Sequence, residues 1–157
     1  VPAMVRWKGT LPGGTAYSPM VSLLDFFSTA AGAAGVPLPE DRVIDGKNLL
    51  PYLRGGKGKP TRETKPHRAL FWRAAYNKAV RQGPWKLIID EKAGRTLLYN
   101  METDKIERRN VASTHPEVVA RLKRALASWE KELPGPLWPR VMDFRFIIDG
   151  EEYDFAL

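Results

Sequence analysis

The sequence predicts an α/β chain that is α+β over its larger part. A small four-stranded antiparallel sheet covered by one C-terminal helix follows a strand, a helix and an irregular stretch. Three observations predict this. Four short strand-like runs between residues 68 and 100 are joined by tight turns. An apolar stripe at helical spacing begins at Val118. Upstream, a strand-like run leads through a Gly-rich loop into helix signals.

Val1-Pro-Ala-Met-Val-Arg-Trp7 reads as a short strand, with Pro2 near its start where a missing N–H is tolerated. Gly9, Pro12, Gly13 and Gly14 mark a loop. Ser18-Pro19 is an N-cap followed by Pro at the first helical position. Met20, Leu23, Leu24, Phe27, Ala31 and Ala34 follow as an apolar face, and small residues from Ala30 to Ala34 suit close packing on a sheet. Gly35 ends this helix as a left-handed cap, with Pro37 beyond. Residues 36–66 read as mostly irregular, and Gly55-Gly-Lys-Gly-Lys-Pro60 as the most flexible run.

Arg68–Arg73 is the next strand. Lys78–Arg81 and Trp85–Asp90 form a hairpin turned at Gln82-Gly83-Pro84, and Thr96–Asn100 is entered through a turn at Ala93-Gly94. Thr114-His-Pro-Glu117 has the spacing of a capping box. Val118, Leu122, Ala125, Leu126, Trp129 and Leu133 share one face of the helix that follows. Pro134-Gly135-Pro136 stops it. Val141 to Ile148 is a last strand candidate, with a turn at Asp149-Gly150.

The 157 residues include no cysteine, which excludes disulfides, thiolate metal sites and a Cys nucleophile within the chain. No run approaches the ~20 apolar residues of a membrane-spanning helix. The formal net charge is +7. It is concentrated in residues 61–130, with 15 basic and 8 acidic groups, against 3 and 6 in residues 131–157. A basic middle and an acidic tail imply an anionic ligand, pairing between the two, or an ordinary solvated surface.

The Gly55–Thr61 run lacks the Lys-Ser/Thr pair and the following helix that a phosphate-binding loop requires. Trp72-Arg73, Tyr76, Lys78, Arg81 and Trp85-Lys86 interleave rings and cations, as single-strand nucleic-acid platforms do. In a half-buried sheet the same alternation separates rings from charges for structural reasons alone. His67 stands just before a strand as a candidate site residue, and His115 in the first turn of a helix as a surface one. Neither has a metal-ligand partner at the right spacing. Asp25, Asp45, Asp90, Asp104 and Glu107 are isolated acids, and the last two have the spacing to cap a local turn. No nucleophile–base–orienter set is present, so no catalytic residue and no metal ligand is assigned.

The order of segments carries more. Val1-Pro-Ala through Trp7 with Lys8-Gly9, Val21–Thr29 closing in Ala34-Gly-Val-Pro37, Asp45-Gly-Lys-Asn-Leu-Leu-Pro51 with Leu53-Arg-Gly55, Ala79–Ile88 with its Arg-x-Gly-x-Trp-Lys pattern, and Leu98-Tyr-Asn-Met101 with Asp104, Glu107 and Asn110 occur in sequence. Together they resemble the C-terminal portion of the bacterial sulfatases, arylsulfatase-like members of the alkaline-phosphatase-like superfamily. Ser28, Asn48, Asn100 and Lys105 depart from the family pattern, which has Pro, Ser, Asp and Pro there. The resemblance covers residues 1–133.

The resemblance implies that residues 1–54 are the end of the catalytic α/β domain and 55–67 a flexible linker. Residues 68–133 would be the antiparallel-sheet-plus-helix subdomain and 134–157 an extension without a motif. It implies part of a sulfuric ester hydrolase whose formylglycine nucleophile and calcium ligands lie upstream, so that the chain holds no cofactor and is inactive alone. Calcium is expected in the intact enzyme. The implied partners are the N-terminal catalytic portion and a sulfated small molecule or sugar, with no membrane and no nucleic acid. The parent enzyme would be periplasmic or secreted. Trp72, Arg73, Tyr76 and Asn77, at a strand end and in the loop after it, are the candidates for one wall of the substrate pocket. The alternatives are part of a phosphoester or phosphonate hydrolase of the same superfamily, or a free-standing basic nucleic-acid-binding module.

Overall fold

The computed structural model describes residues 3–54, 65–135, 142–148 and 150–156. The Gly55–Pro60 run and most of the expected linker lie outside them, as do Val1, Pro2 and Val141. The chain divides into two units, Val1–Arg68 and Ala69–Leu157.

The first unit contains no strand among its described residues. Residues 3–7, expected as a strand, have no regular structure, with Met4 98% exposed. A strand exists only through a ladder partner, and no strand of this unit offers one. The chain then turns, the Thr10 and Leu11 N–H groups donating to the Trp7 carbonyl.

Helix α1 spans Asp25–Ala34 rather than starting at Ser18-Pro19. Asp25 N–H donates to the Ser22 carbonyl and Phe26 N–H to that of Leu23, a tight turn that leads into the helix. Gly35, at φ 68° and ψ 22°, closes it in the left-handed conformation the sequence predicts.

The expected apolar face of α1 is not the buried one. Leu23, Leu24, Phe26 and Phe27 are exposed, while Asp25 and Ser28 are buried. The inward face at 25, 28 and 29 is polar because it binds the backbone of residues 46–49. Ser28 Oγ donates to the Gly46 carbonyl at 2.8 Å, and Leu49 N–H donates to Thr29 Oγ1 at 3.0 Å. Gly46 has to be glycine, since a Cβ there would overlap the Leu24 carbonyl. A short helix α2, Leu50–Arg54, falls within the stretch expected to be irregular; Asn48 Oδ1 accepts the Leu50 N–H at 3.0 Å.

The second unit holds the four-stranded antiparallel sheet, in the order β1 (Ala69–Ala74), β2 (Asn77–Gln82), β3 (Trp85–Asp90) and β4 (Arg95–Asn100). Each strand lies within one residue of its expected bounds. The β2–β3 turn pairs Gln82 with Trp85, and Gly83 takes φ 61°, the first central position of a type II′ hairpin.

Helix α3, Pro116–Glu130, covers one sheet face. Val118, Leu122 and Leu126 meet Val80, Leu87 and Leu98 in the core, and Phe71 stacks on Trp129 at 5.1 Å. The capping box does not form. His115 is the N-cap residue and Pro116 the first helical one, which leaves Thr114 one position too early. Its hydroxyl donates to the Val111 carbonyl instead. Glu117 still places negative charge in the first turn.

The free edge of β4 is satisfied by Asn110. Its Oδ1 accepts the Leu98 N–H at 2.9 Å and its Nδ2 donates to the Thr96 carbonyl at 3.3 Å. Asp104 caps the same connection, accepting N–H groups from Arg108 and Arg109. The tail forms a two-stranded hairpin, β5 (Asp143–Ile148) and β6 (Glu151–Ala156), where one strand candidate was expected.

Candidate functional site

The sheet face away from α3 is built from three cross-strand rows. They are Leu70–Arg81–Lys86–Tyr99, Trp72–Ala79–Ile88–Leu97 and Ala74–Asn77–Asp90–Arg95. The β5–β6 hairpin is tied to the third row. Asn77 Nδ2 donates to the Asp154 carbonyl at 3.0 Å and Arg95 Nη1 to the Glu152 carbonyl at 2.7 Å. Lys92 adds an ion pair to Asp154 at 2.6 Å.

This geometry separates the four sequence candidates. Trp72 lies on the open face and is 47% exposed. Arg73, one residue on, points to the α3 side by strand alternation, and its Nη2 donates to the Pro134 carbonyl at 3.0 Å. Tyr76 stands in the two-residue turn between β1 and β2, with the Lys92 ammonium 5.4 Å from its ring centroid. Asn77 is the first residue of β2 rather than part of the loop. The rings and cations of this region do not sort onto separate faces, because the hairpin register mixes them. Trp72, Arg81 and Lys86 share the open face, while Trp85 and Lys78 lie on the α3 side.

Arg81, which the sequence offers only as one of the interleaved cations, is not among the four wall candidates. Its Nε is buried without a hydrogen-bond partner, and no ion pair reaches its guanidinium among the described residues. It stands opposite Lys86, whose Nζ meets Glu107 Oε1 at 2.6 Å. The signal was present in the hairpin register: Trp72 pairs with Ala79, so Arg81 shares its face.

Two clefts border the same unit. One, of about 620 Å³, lies among Arg95, Tyr99, Ile106, Glu107, Arg108 and Tyr153. Burial raises the Tyr99 phenol above its ordinary range. The other, of about 330 Å³, lies between Trp85, Asp104, Arg109 and His115. The His115 ring tilts against Trp85 at 4.9 Å.

In the first unit, His67 Nε2 lies 2.8 and 2.9 Å from the two Asp25 oxygens. Asp25 also accepts the Ser22 and Lys47 N–H groups, at 2.7 and 2.8 Å. With side chains 9% and 0% exposed and both carboxylate oxygens engaged, the pair fastens three segments and leaves no space for a substrate. Among the described residues no three His, Cys, Asp or Glu side chains cluster to hold a metal ion. No described helix is long and apolar enough to cross a membrane.

No family model matches the chain. Among curated proteins, human steryl-sulfatase is 40% identical over 85 residues, covering 54% of this chain and 14% of that protein. The uncharacterized sulfatase YdeN of Escherichia coli is 37% identical over 76 residues, or 48% of this chain and 12% of that one. The chain therefore spans about one seventh of the length of these relatives or less. Among solved structures, Ps i-CgsB superimposes on 84% of this chain and 29% of its own, with a TM-score of 0.66 and 25% identity. A putative sulfatase from Bacteroides thetaiotaomicron covers 68% of the chain, with a TM-score of 0.55 and 26% identity. In sequence and in fold, the chain is similar to the C-terminal portion of the sulfatases.

Proposed function

We propose that the chain is the C-terminal part of a sulfuric ester hydrolase, packing on a larger catalytic portion and lending one wall to its substrate pocket. The observation that carries this is the superposition of 84% of this chain onto only 29% of a much longer one, together with the steryl-sulfatase match. The exposed apolar ridge of Leu23, Leu24, Phe26 and Phe27 suits the packing role, because contiguous apolar surface of this kind marks an interface.

In this reading the nucleophile, a formylglycine, and the calcium belong to the catalytic portion. The β1–β2 hairpin supplies the wall. Trp72 offers an exposed ring, and Arg73 and Asn77 hold the hairpin in place through Pro134 and Asp154. The similar protein Ps i-CgsB has been crystallised in complex with a neocarrahexaose, which favours a saccharide as the molecule facing that wall.

Two measurements test the reading. The coding sequence upstream of Val1 is expected to hold a Cys/Ser-x-Pro-x-Arg motif in frame; Thr at the nucleophile position would turn the reading to a phosphoester or phosphonate hydrolase. The isolated chain is expected to turn over no aryl sulfate, and calcium-dependent hydrolysis by the pure chain would overturn the division of labour.

A further inference from the structure

We propose that the open face of the β1–β4 sheet is a receptor for an oxyanion carried on a ring, with Arg81 holding the anion and Trp72 stacking on the ring. The ligand class is a sulfate ester of a sugar. This deepens the reading above and rests on it for the ligand class. It moves the charged contact from Arg73, which is occupied on the other side of the sheet, to Arg81.

The charges on this face leave one cation unmatched. Arg81 and Lys86 stand directly opposite each other, an arrangement that is unfavourable for like charges. Glu107 neutralises Lys86. Asp90, in the third row, accepts the Ala93 N–H at 3.0 Å. Asp154 is engaged by Lys92 and Arg145. No described acid of this face or of the hairpin tied to it pairs with Arg81.

The Arg81 Nε–H is withdrawn from water without an acceptor, which is costly, while the residue as a whole stays partly exposed. An anion that binds the accessible guanidinium edge and draws Nε–H toward it removes that cost. The planar fork of Arg matches two oxygens of one sulfate at once. Trp72 is the diagonal neighbour of Arg81 across the β1–β2 pair, within the reach of large side chains. Its exposed ring provides the flat apolar surface that a pyranose covers. Leu70, directly opposite Arg81, brings no competing charge.

The test uses the 157-residue chain labelled with 15N, following the Arg81 Nε–Hε and Trp72 indole signals at constant ionic strength. The probes are galactose 6-sulfate, galactose, inorganic sulfate and an Asp/Glu-rich peptide. A saturable shift of both signals by galactose 6-sulfate is expected, with galactose and inorganic sulfate each about tenfold weaker. Arg81→Gln should abolish the shift of the Trp72 signal, Arg73→Gln should leave it, and Trp72→Ala should reduce the sulfated sugar to the strength of sulfate. A well-dispersed spectrum of each variant confirms that it is folded, and Arg81→Lys serves as a second variant if the Gln form is not.

No saturable shift, a Trp72 response that survives Arg81→Gln, or equal binding of sulfate and sulfated sugar would overturn the proposal. Saturation by the peptide alone would assign the face to a protein partner and overturn it too. Such failures leave the upstream-motif test untouched, while a missing upstream motif with intact sugar binding would remove the sulfatase reading alone.

Discussion

Lys86 on β3 and Glu107 in the connection after β4 meet at 2.6 Å across 21 residues of sequence, both partly buried. Glu107 holds a left-handed backbone, φ 58°, which a non-glycine residue adopts at a cost. The ion pair helps to hold that conformation and also relieves Lys86 of its opposition to Arg81. A double-mutant cycle of Lys86→Met and Glu107→Gln, read by urea unfolding, should give a coupling of about 1 kcal/mol. A coupling near zero would mean that the turn holds itself.

Leu122 and Trp129 test the covering of the sheet by α3. Leu122 is wholly buried, so Leu122→Ala should cost about 3–4 kcal/mol. Trp129 is only partly buried but stacks on Phe71. Trp129→Ala should cost about 2–3 kcal/mol, below the range for a fully buried ring. Unchanged unfolding midpoints in both variants would show that α3 is packed differently.

Asp25 tests the polar fastening of the first unit. Asp25→Ala leaves the Ser22 and Lys47 N–H groups and His67 Nε2 without their acceptor. The expected cost is about 3 kcal/mol, with faster amide exchange over residues 22–29 and 46–49. Asp25→Asn keeps one acceptor oxygen and should cost roughly half as much. Unchanged exchange in the Ala variant would remove Asp25 from this role.

Asp154 sets an acid limit on the terminal hairpin. The Arg145 guanidinium, and after it the Lys92 ammonium, hold its carboxyl at about 2, below the ordinary 3.8. A carboxyl depressed on folding favours the folded state above its unfolded value and loses that contribution as pH falls through its folded one. The β5–β6 hairpin should therefore stay docked above about pH 4 and loosen between about 4 and 2. Chemical shifts of the β6 amides followed through that window would show the step, and Asp154→Asn should erase it. A step centred at the ordinary value would show that neither cation holds the carboxyl.

The sheet was legible because its signals are local. Period-two alternation, Gly83-Pro84 and Ala93-Gly94 placed β1 to β4 within a residue, and the apolar stripe from Val118 placed the buried face of α3. Tertiary structure decided what depends on partners. The run at residues 3–7 has strand character but no ladder to join, and α1 turns Asp25 and Ser28 inward because the backbone of residues 46–49 lies there to be bonded. The candidate site divided for the same reason. Trp72 and Arg73 are adjacent in sequence and opposite in space, whereas Trp72 and Arg81 are nine residues apart and share a face. A strand fixes only the alternation of its side chains; which residue of a neighbouring strand lies beside each is fixed by the register of pairing, and here a two-residue turn at Ala75-Tyr76 sets that register.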